Sequence, residues 1–221
     1  MKNLLITVFT IFSFQIFSQE IKTYKIGGFA QGGIIFWLDE SGQHGLVCAK
    51  EDYPEFVPWD THLKTGAEGT RAVAPEKAIV MALGDGPYSG EMNTAIIIGA
   101  LGYGDGRVYA AAACNELQTT ENGVTYGDWY LPSRDELNLL YKNRKLIDEV
   151  ALKYGGKIFH QQGDFSSIGN IYWSSTEFFE RDKMTVPEHV AWGHNFKKGG
   201  QSFQNPPRKY MNCSVRAIRA F

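Results

Sequence analysis

The sequence has little of what a metal, redox or phosphate centre is built from. Three cysteines occur in 221 residues, Cys48, Cys114 and Cys213, and none belongs to the closely spaced doublet of a zinc ribbon or a thioredoxin-type site. In an oxidising compartment two could pair, but the odd count leaves one over. Their apolar neighbours favour a buried free thiol at each position. The glycines at 27, 28, 32 and 33 are not followed by Lys-Ser or Lys-Thr, so they do not form a phosphate loop and read as turn and bulge positions. There is no low-complexity tract and no excess of positive charge. With 22 basic and 24 acidic side chains, a net of −2, generic nucleic-acid binding is excluded.

A membrane span of ordinary length is also missing. Leu4 to Phe17 is apolar, but at about 14 residues it is short for a permanent anchor and right for the core of an export signal. Lys2 and Asn3 supply its polar start, small Ser18 its end, and no cysteine follows for lipid attachment. The expectation is a signal peptide over 1–18 and a mature domain over 19–221, exported to the periplasm, the surface or the medium. Such a domain is long enough to bury roughly 70% of its unfolded surface without a metal or disulfide.

Punctuation by glycine and proline sets the expected elements. Ile34 to Leu38 and Leu46 to Ala49 read as a strand hairpin around the turn residues 39–45. Tyr53 to Gly90 reads as an irregular excursion anchored by Phe56, Val57 and Trp59, with a brief helix over Pro75 to Leu83. Asn93 to Leu101 and Val108 to Leu117 read as helices; Asp105 between them, with Asp85 and Glu91, is a weak cation candidate that lacks EF-hand spacing. Trp129 to Leu131 is strand-like, and Ser133 with Glu136 forms a capping box that opens a helix, followed by a further helical stretch from Leu146 to Tyr154. The remainder reads as strands: Ile171 to Ser175, His189 to Phe196, and Cys213 to Phe221 with Val215 and Ala217 on one face and Arg216, Ile218 and Ala220 on the other. Helices first and antiparallel strands last make the class α+β.

Candidate chemistry is sparse. Ser174 and Ser175 have no nucleophile-elbow context, and their hydroxyls are expected in local hydrogen bonds. Of the histidines at 44, 62, 160, 189 and 194, His189 and His194 would point to opposite faces of one strand, which does not suit a shared metal, and these two are expected at the surface or in loops. No cofactor or metal is implied. Charge is unevenly placed: from Phe178 onward eight basic residues face three acidic ones, a net of +5, whereas the rest of the mature chain carries −8. Arg181, Lys183, Lys197, Lys198, Arg208 and Lys209 fall in loop sequence, where long side chains reach out toward sulfate or carboxylate groups. Arg216 and Arg219 fall in the last strand, where structural contacts are expected.

The ordered series Gly-Gly-Ile-Ile-Phe-Trp (32–37), Asn-Thr-Ala-Ile (93–96), Tyr-Ala-Ala-Ala-Ala-Cys (109–114), Asp-Trp-Tyr-Leu-Pro-Ser-Arg-Asp-Glu-Leu (128–137), Tyr-Trp-Ser-Ser-Thr-Glu (172–177), Ala-Trp (191–192) and Val-Arg-Ala-Ile-Arg-Ala-Phe (215–221) resembles the family typified by the C-terminal domain of the Legionella collagen-like adhesin. That family lies within the C-type-lectin-like fold group. The resemblance implies one domain with short helices packed on mostly antiparallel sheet, closely placed termini, and a binding face made by the late loops. It implies binding of a glycan or protein at a surface, without catalysis. The adhesin's collagen-like stalk has no counterpart here. The expected ligand-binding residues are Arg181, Lys183, His189, Trp192, Lys197, Lys198, Arg208 and Lys209, with Trp173 in the core and Trp192 free to stack on a sugar ring. Two other readings are an enzyme resembling the sulfatase-modifying branch of the fold, and a structural surface protein without a small ligand.

Overall fold

A computed structural model describes residues 22–61, 79–102, 107–160, 168–179, 190–197 and 206–221; the expected signal peptide lies outside them. Short continuous apolar runs build the main sheet, because both of its faces are buried. β1 (Phe29–Ala30), β2 (Gly33–Leu38), β3 (Gly45–Cys48) and β8 (Ile218–Ala220) form an antiparallel sheet in the order β1-β2-β3-β8. The β2–β3 hairpin is held at its turn by Asp39, whose Oδ1 accepts from the Ser41 and Gly42 amides, both at 3.0 Å. Because strand side chains alternate, the sheet feeds two cores. Ile35, Val47 and Ala217 join Trp59, Trp129 and Trp173 on one side, while Ile34, Phe36, Leu46, Cys48 and Ile218 join Tyr172 and Phe196 on the other.

The last strand is held on both edges. It pairs with β3 through Leu46↔Ala220, Val47↔Arg219 and Cys48↔Ile218, and on its other edge Tyr130 and Ile218 exchange amide hydrogen bonds of 2.8 and 3.0 Å. Its expected alternation holds, with Val215 and Ala217 in the first core and Ile218 in the second. The regular strand is shorter than the expected Cys213–Phe221; Cys213 and Ser214 instead make single bridges to Val57 and Tyr172. At the other side of this sheet the Tyr24 ring packs edge-on against Phe221, 4.8 Å between centroids.

Among the described residues three α-helices complete the α+β arrangement: α1 (Ser89–Leu101), α2 (Ala110–Asn115) and α3 (Arg134–Lys153). The third is one 20-residue helix rather than two pieces, because no breaker occurs before Gly155, which takes φ 72° just past its end. Its buried stripe is Leu137, Leu140, Ile147 and Ala151, four positions on one helical face. The capping box is present: the Ser133 hydroxyl accepts from the Glu136 amide at 3.2 Å, and the Glu136 carboxylate accepts from the Ser133 amide at 2.7 Å.

A hairpin of β4 (Thr119–Glu121) and β5 (Val124–Tyr126) and a pair of β6 (Ile171–Glu177) and β7 (Ala191–Asn195) are the other antiparallel units. All seven residues of β6 are buried. The Ser175 hydroxyl accepts from Asn93 Nδ2 at 3.3 Å and Ser174 Oγ donates to the Trp192 carbonyl at 2.9 Å, the local role expected of these serines.

Two expectations fail on packing grounds. The described part of the supposed Pro75–Leu83 helix, residues 79–83, is not helical; the Val80 and Met81 amides point to the Glu177 carboxylate instead of to a helical carbonyl, and Met81 is left-handed at φ 65°. Phe56 is 47% exposed and is not an anchor, whereas Val57 and Trp59 are buried as expected. Since the Ser133 cap also donates to the Gly86 carbonyl at 2.9 Å, Ser133→Ala is expected to lower unfolding free energy by about 0.5–2 kcal/mol, read from urea denaturation; an unchanged midpoint would show that the cap contributes nothing.

Candidate ligand-binding surface

Trp192 occupies the middle of the most suggestive exposed surface. Its neighbour Ala191 turns into the core, so the alternation of β7 presents the indole outward, half-buried. The Phe178 ring meets it edge-on at 5.0 Å, and the Arg134 guanidinium lies 4.9 Å from the ring centre. Arg134 is the first residue of α3; its amide donates to Thr176 Oγ1 at 2.9 Å and its side chain pairs with Asp85. Helix start, strand end and irregular segment therefore fix this aromatic and cationic cluster from three directions. Arg134 and Phe178 were not among the expected site residues, because nothing local in the sequence places them beside Trp192.

The expected basic residues do not all share this surface. Arg208 is exposed, pairs across from Val190 by an antiparallel bridge, and donates to the Tyr210 hydroxyl at 2.8 Å. Lys197 is half-buried beyond the far end of β7, so roughly 20 Å of strand separates it from the Val190 bridge. Arg181, Lys183, His189 and Lys198 lie outside the described residues. Lys209 lies in a turn, as expected, but does not reach outward. It is fully buried, its ammonium pairs with Glu177, and it sits 4.4 Å from the Trp59 ring centre. Burial pushes its amine below the ordinary lysine value, although the Glu177 charge opposes this. A loop residue is inside here because the Trp59 and Asp60 amides both donate to its carbonyl, at 2.7 and 3.2 Å, drawing the turn inward.

The last-strand arginines are in structural contacts, as expected. Arg216 Nε donates to Asp52 at 2.5 Å and its Nη1 to the Ala49 carbonyl at 3.0 Å, while Arg219 pairs with Asp128. Asp85 is likewise engaged, accepting from the Asp135 amide at 2.9 Å besides its pair with Arg134; Asp105 lies outside the described residues. His194 overturns its surface assignment: it is 4% exposed against Tyr141 and Phe196, and burial lowers it to about 4. Trp173 is in the core, fully buried.

All three cysteines are buried free thiols. Burial raises Cys48 to about 12 and carries Cys114 and Cys213 higher still, the opposite of an activated nucleophile. Among the described residues no group of three His, Cys, Asp or Glu is arranged to hold a metal ion, and no helix is long and apolar enough to cross a membrane. No family model matches the chain, and no curated protein matches it.

Two outcomes test this electrostatic picture. In the native state none of the three thiols should react with a thiol reagent at neutral pH, and all three should react after denaturation; one rapid native thiol would refute their burial. Glu136 supplies the second. Burial raises it from 4.5 to about 6, against the hydrogen bonds from Ser133, Tyr88 and Tyr130. A folded value above the unfolded one means that stability from this group is full below 4.5 and is lost as pH rises through about 6. The stability advantage of wild type over Glu136→Gln should therefore shrink by about 2 kcal/mol across that window; an advantage that grows with pH would reverse the assignment.

Proposed function

We propose that this chain is an exported, non-catalytic binding module of the C-type-lectin-like group, and that it recognises a glycan at the surface centred on Trp192. Three things support the fold reading: the α+β arrangement, the chain end paired into the main sheet beside Tyr24, and the capping box that follows Leu131-Pro132. The observation that carries the functional reading is the half-buried Trp192 indole, braced by Phe178 and Arg134.

Such an arrangement suits a sugar. An aromatic face covers the apolar C–H surface of a pyranose, and polar neighbours take its hydroxyls. Ordering the indole before the ligand arrives removes part of the entropic cost of binding. The adjoining cation is already paired with Asp85, so stacking is the main contribution and charge a secondary one. Raised thiol values argue against the cysteine chemistry of the enzymatic alternative. Charge-led binding of a polyanion rests on Arg208 and Lys197 together with Arg181, Lys183 and Lys198, which lie outside the described residues.

A glycan array at low and high salt separates the contributions. Trp192→Ala should weaken the selected glycan by about 0.5–1.5 kcal/mol, with little change between salt concentrations. Undiminished binding by that variant would remove the Trp192 surface. Binding that collapses with salt and with Lys197→Ala would instead favour the polyanion reading.

A further inference from the structure

We propose that Lys209 and Glu177 are the two halves of an intramolecular isopeptide bond, an amide joining Lys209 Nζ to Glu177 Cδ that the folded protein forms by itself. The observation is a buried site with the parts of an acyl-transfer centre. Lys209 is 0% exposed, Glu177 2%, neighbouring Asp60 1% and the covering Trp59 0%. The Lys209 ammonium contacts Glu177 Oε1. Two successive backbone amides face the same carboxyl: Val80 N–H lies 3.2 and 3.1 Å from its two oxygens and Met81 N–H lies 2.8 Å from Oε2. Asp60 is tied to the lysine backbone by a 3.2 Å hydrogen bond, and its charge acts on the lysine amine.

Ionised, this pair is expensive to keep so far from solvent. Transfer of one proton from the ammonium to the carboxylate gives a neutral amine beside a neutral acid, the two reacting forms, and burial already favours the neutral amine. Holding them in contact supplies the proximity that a bimolecular condensation lacks. The amine lone pair attacks Glu177 Cδ, and the carbonyl electrons move onto oxygen, where the Val80 and Met81 amides receive the negative charge as an oxyanion hole does. Asp60 takes the surplus proton from the nitrogen and returns it to the departing hydroxyl. The carbonyl reforms, one water leaves and the amide remains, with no oxidant or cofactor needed. The product replaces two buried charges by one neutral group.

The link spans 32 residues and ties the end of β6 to the turn after Pro207, so both ends of the segment containing β7 and Trp192 become one covalent loop. This proposal does not depend on what Trp192 binds. Peptide mapping of the denatured protein by mass spectrometry tests it. Expected is a joined pair of peptides containing Glu177 and Lys209, lighter by one water, with no tryptic cleavage after Lys209. Separate peptides of full mass, with cleavage after Lys209, would overturn it. Asp60→Asn, checked for native fold by circular dichroism, should yield a mixture of joined and separate peptides in freshly made protein. Complete joining in that variant would overturn the proton-transfer role of Asp60.

Discussion

Two buried carboxylates hold together the part of this molecule that has no regular structure. Residues 79–88 belong to neither helix nor sheet, yet backbone amides must find acceptors wherever water is excluded. Glu177 accepts from Val80 and Met81, and Glu136 accepts from Tyr88 at 2.7 Å and Gly90 at 3.2 Å. The two non-glycine residues of this segment in the left-handed region are Met81 and Tyr88, at φ 65° and 68°. Each costs about 1–2 kcal/mol in backbone strain, and each has its amide on one of these carboxylates. Gly90 completes the fit: a Cβ there would lie 2.7 Å from the Leu131 carbonyl and 2.8 Å from the Ser133 amide. The start of α3, the end of β6 and the start of α1 are thereby fastened to one strap.

What the sequence made legible follows from the range of each interaction. The Ser133 cap is decided by residues three apart, and the two-faced last strand by a period of two, so both could be read directly. Glu136 also serves Tyr88 and Gly90, 48 and 46 residues away, and nothing in the capping box announces that. Over residues 79–83 the local signal for a helix is overridden by a tertiary acceptor, Glu177. The burial of Lys209 is illegible for the same reason, since a lysine after two prolines reads as reaching outward from a loop while its partner lies in a distant strand. The β4–β5 hairpin, by contrast, went unread although its signal is local: Asn122 and Gly123 turn at φ 49° and 80°, the pattern favoured in tight hairpins.

Charge asymmetry was legible as a sum and misleading as a surface. Of the eight basic residues after Phe178, Lys209, Arg216 and Arg219 are held by Glu177, Asp52 and Asp128. Their positive charge is met by acids from elsewhere in the chain, so the C-terminal excess partly reflects long-range internal pairing. Among the described residues Arg208 and Lys197 remain at the surface, at opposite ends of β7. A net charge computed over a stretch of sequence predicts an external field only when partners lie within that stretch, and here they do not.

On the proposed reading, the same pairing would make the Trp192 surface respond to shape before charge. Its arginine comes from α3 and is already balanced by Asp85, which is in turn fixed by the Asp135 amide. The strand beneath it is fastened by Ser174 at the Trp192 carbonyl and by the Pro207 carbonyl at the Ala191 amide, 3.2 Å. A ligand group that sought the guanidinium would have to compete with an ion pair already in place, whereas a ligand that laid an apolar face on the accessible part of the indole would leave that pair intact. Selectivity of the proposed site would then depend on how the strand and helix edges shape the space around the ring, which is a property of packing and not of net charge.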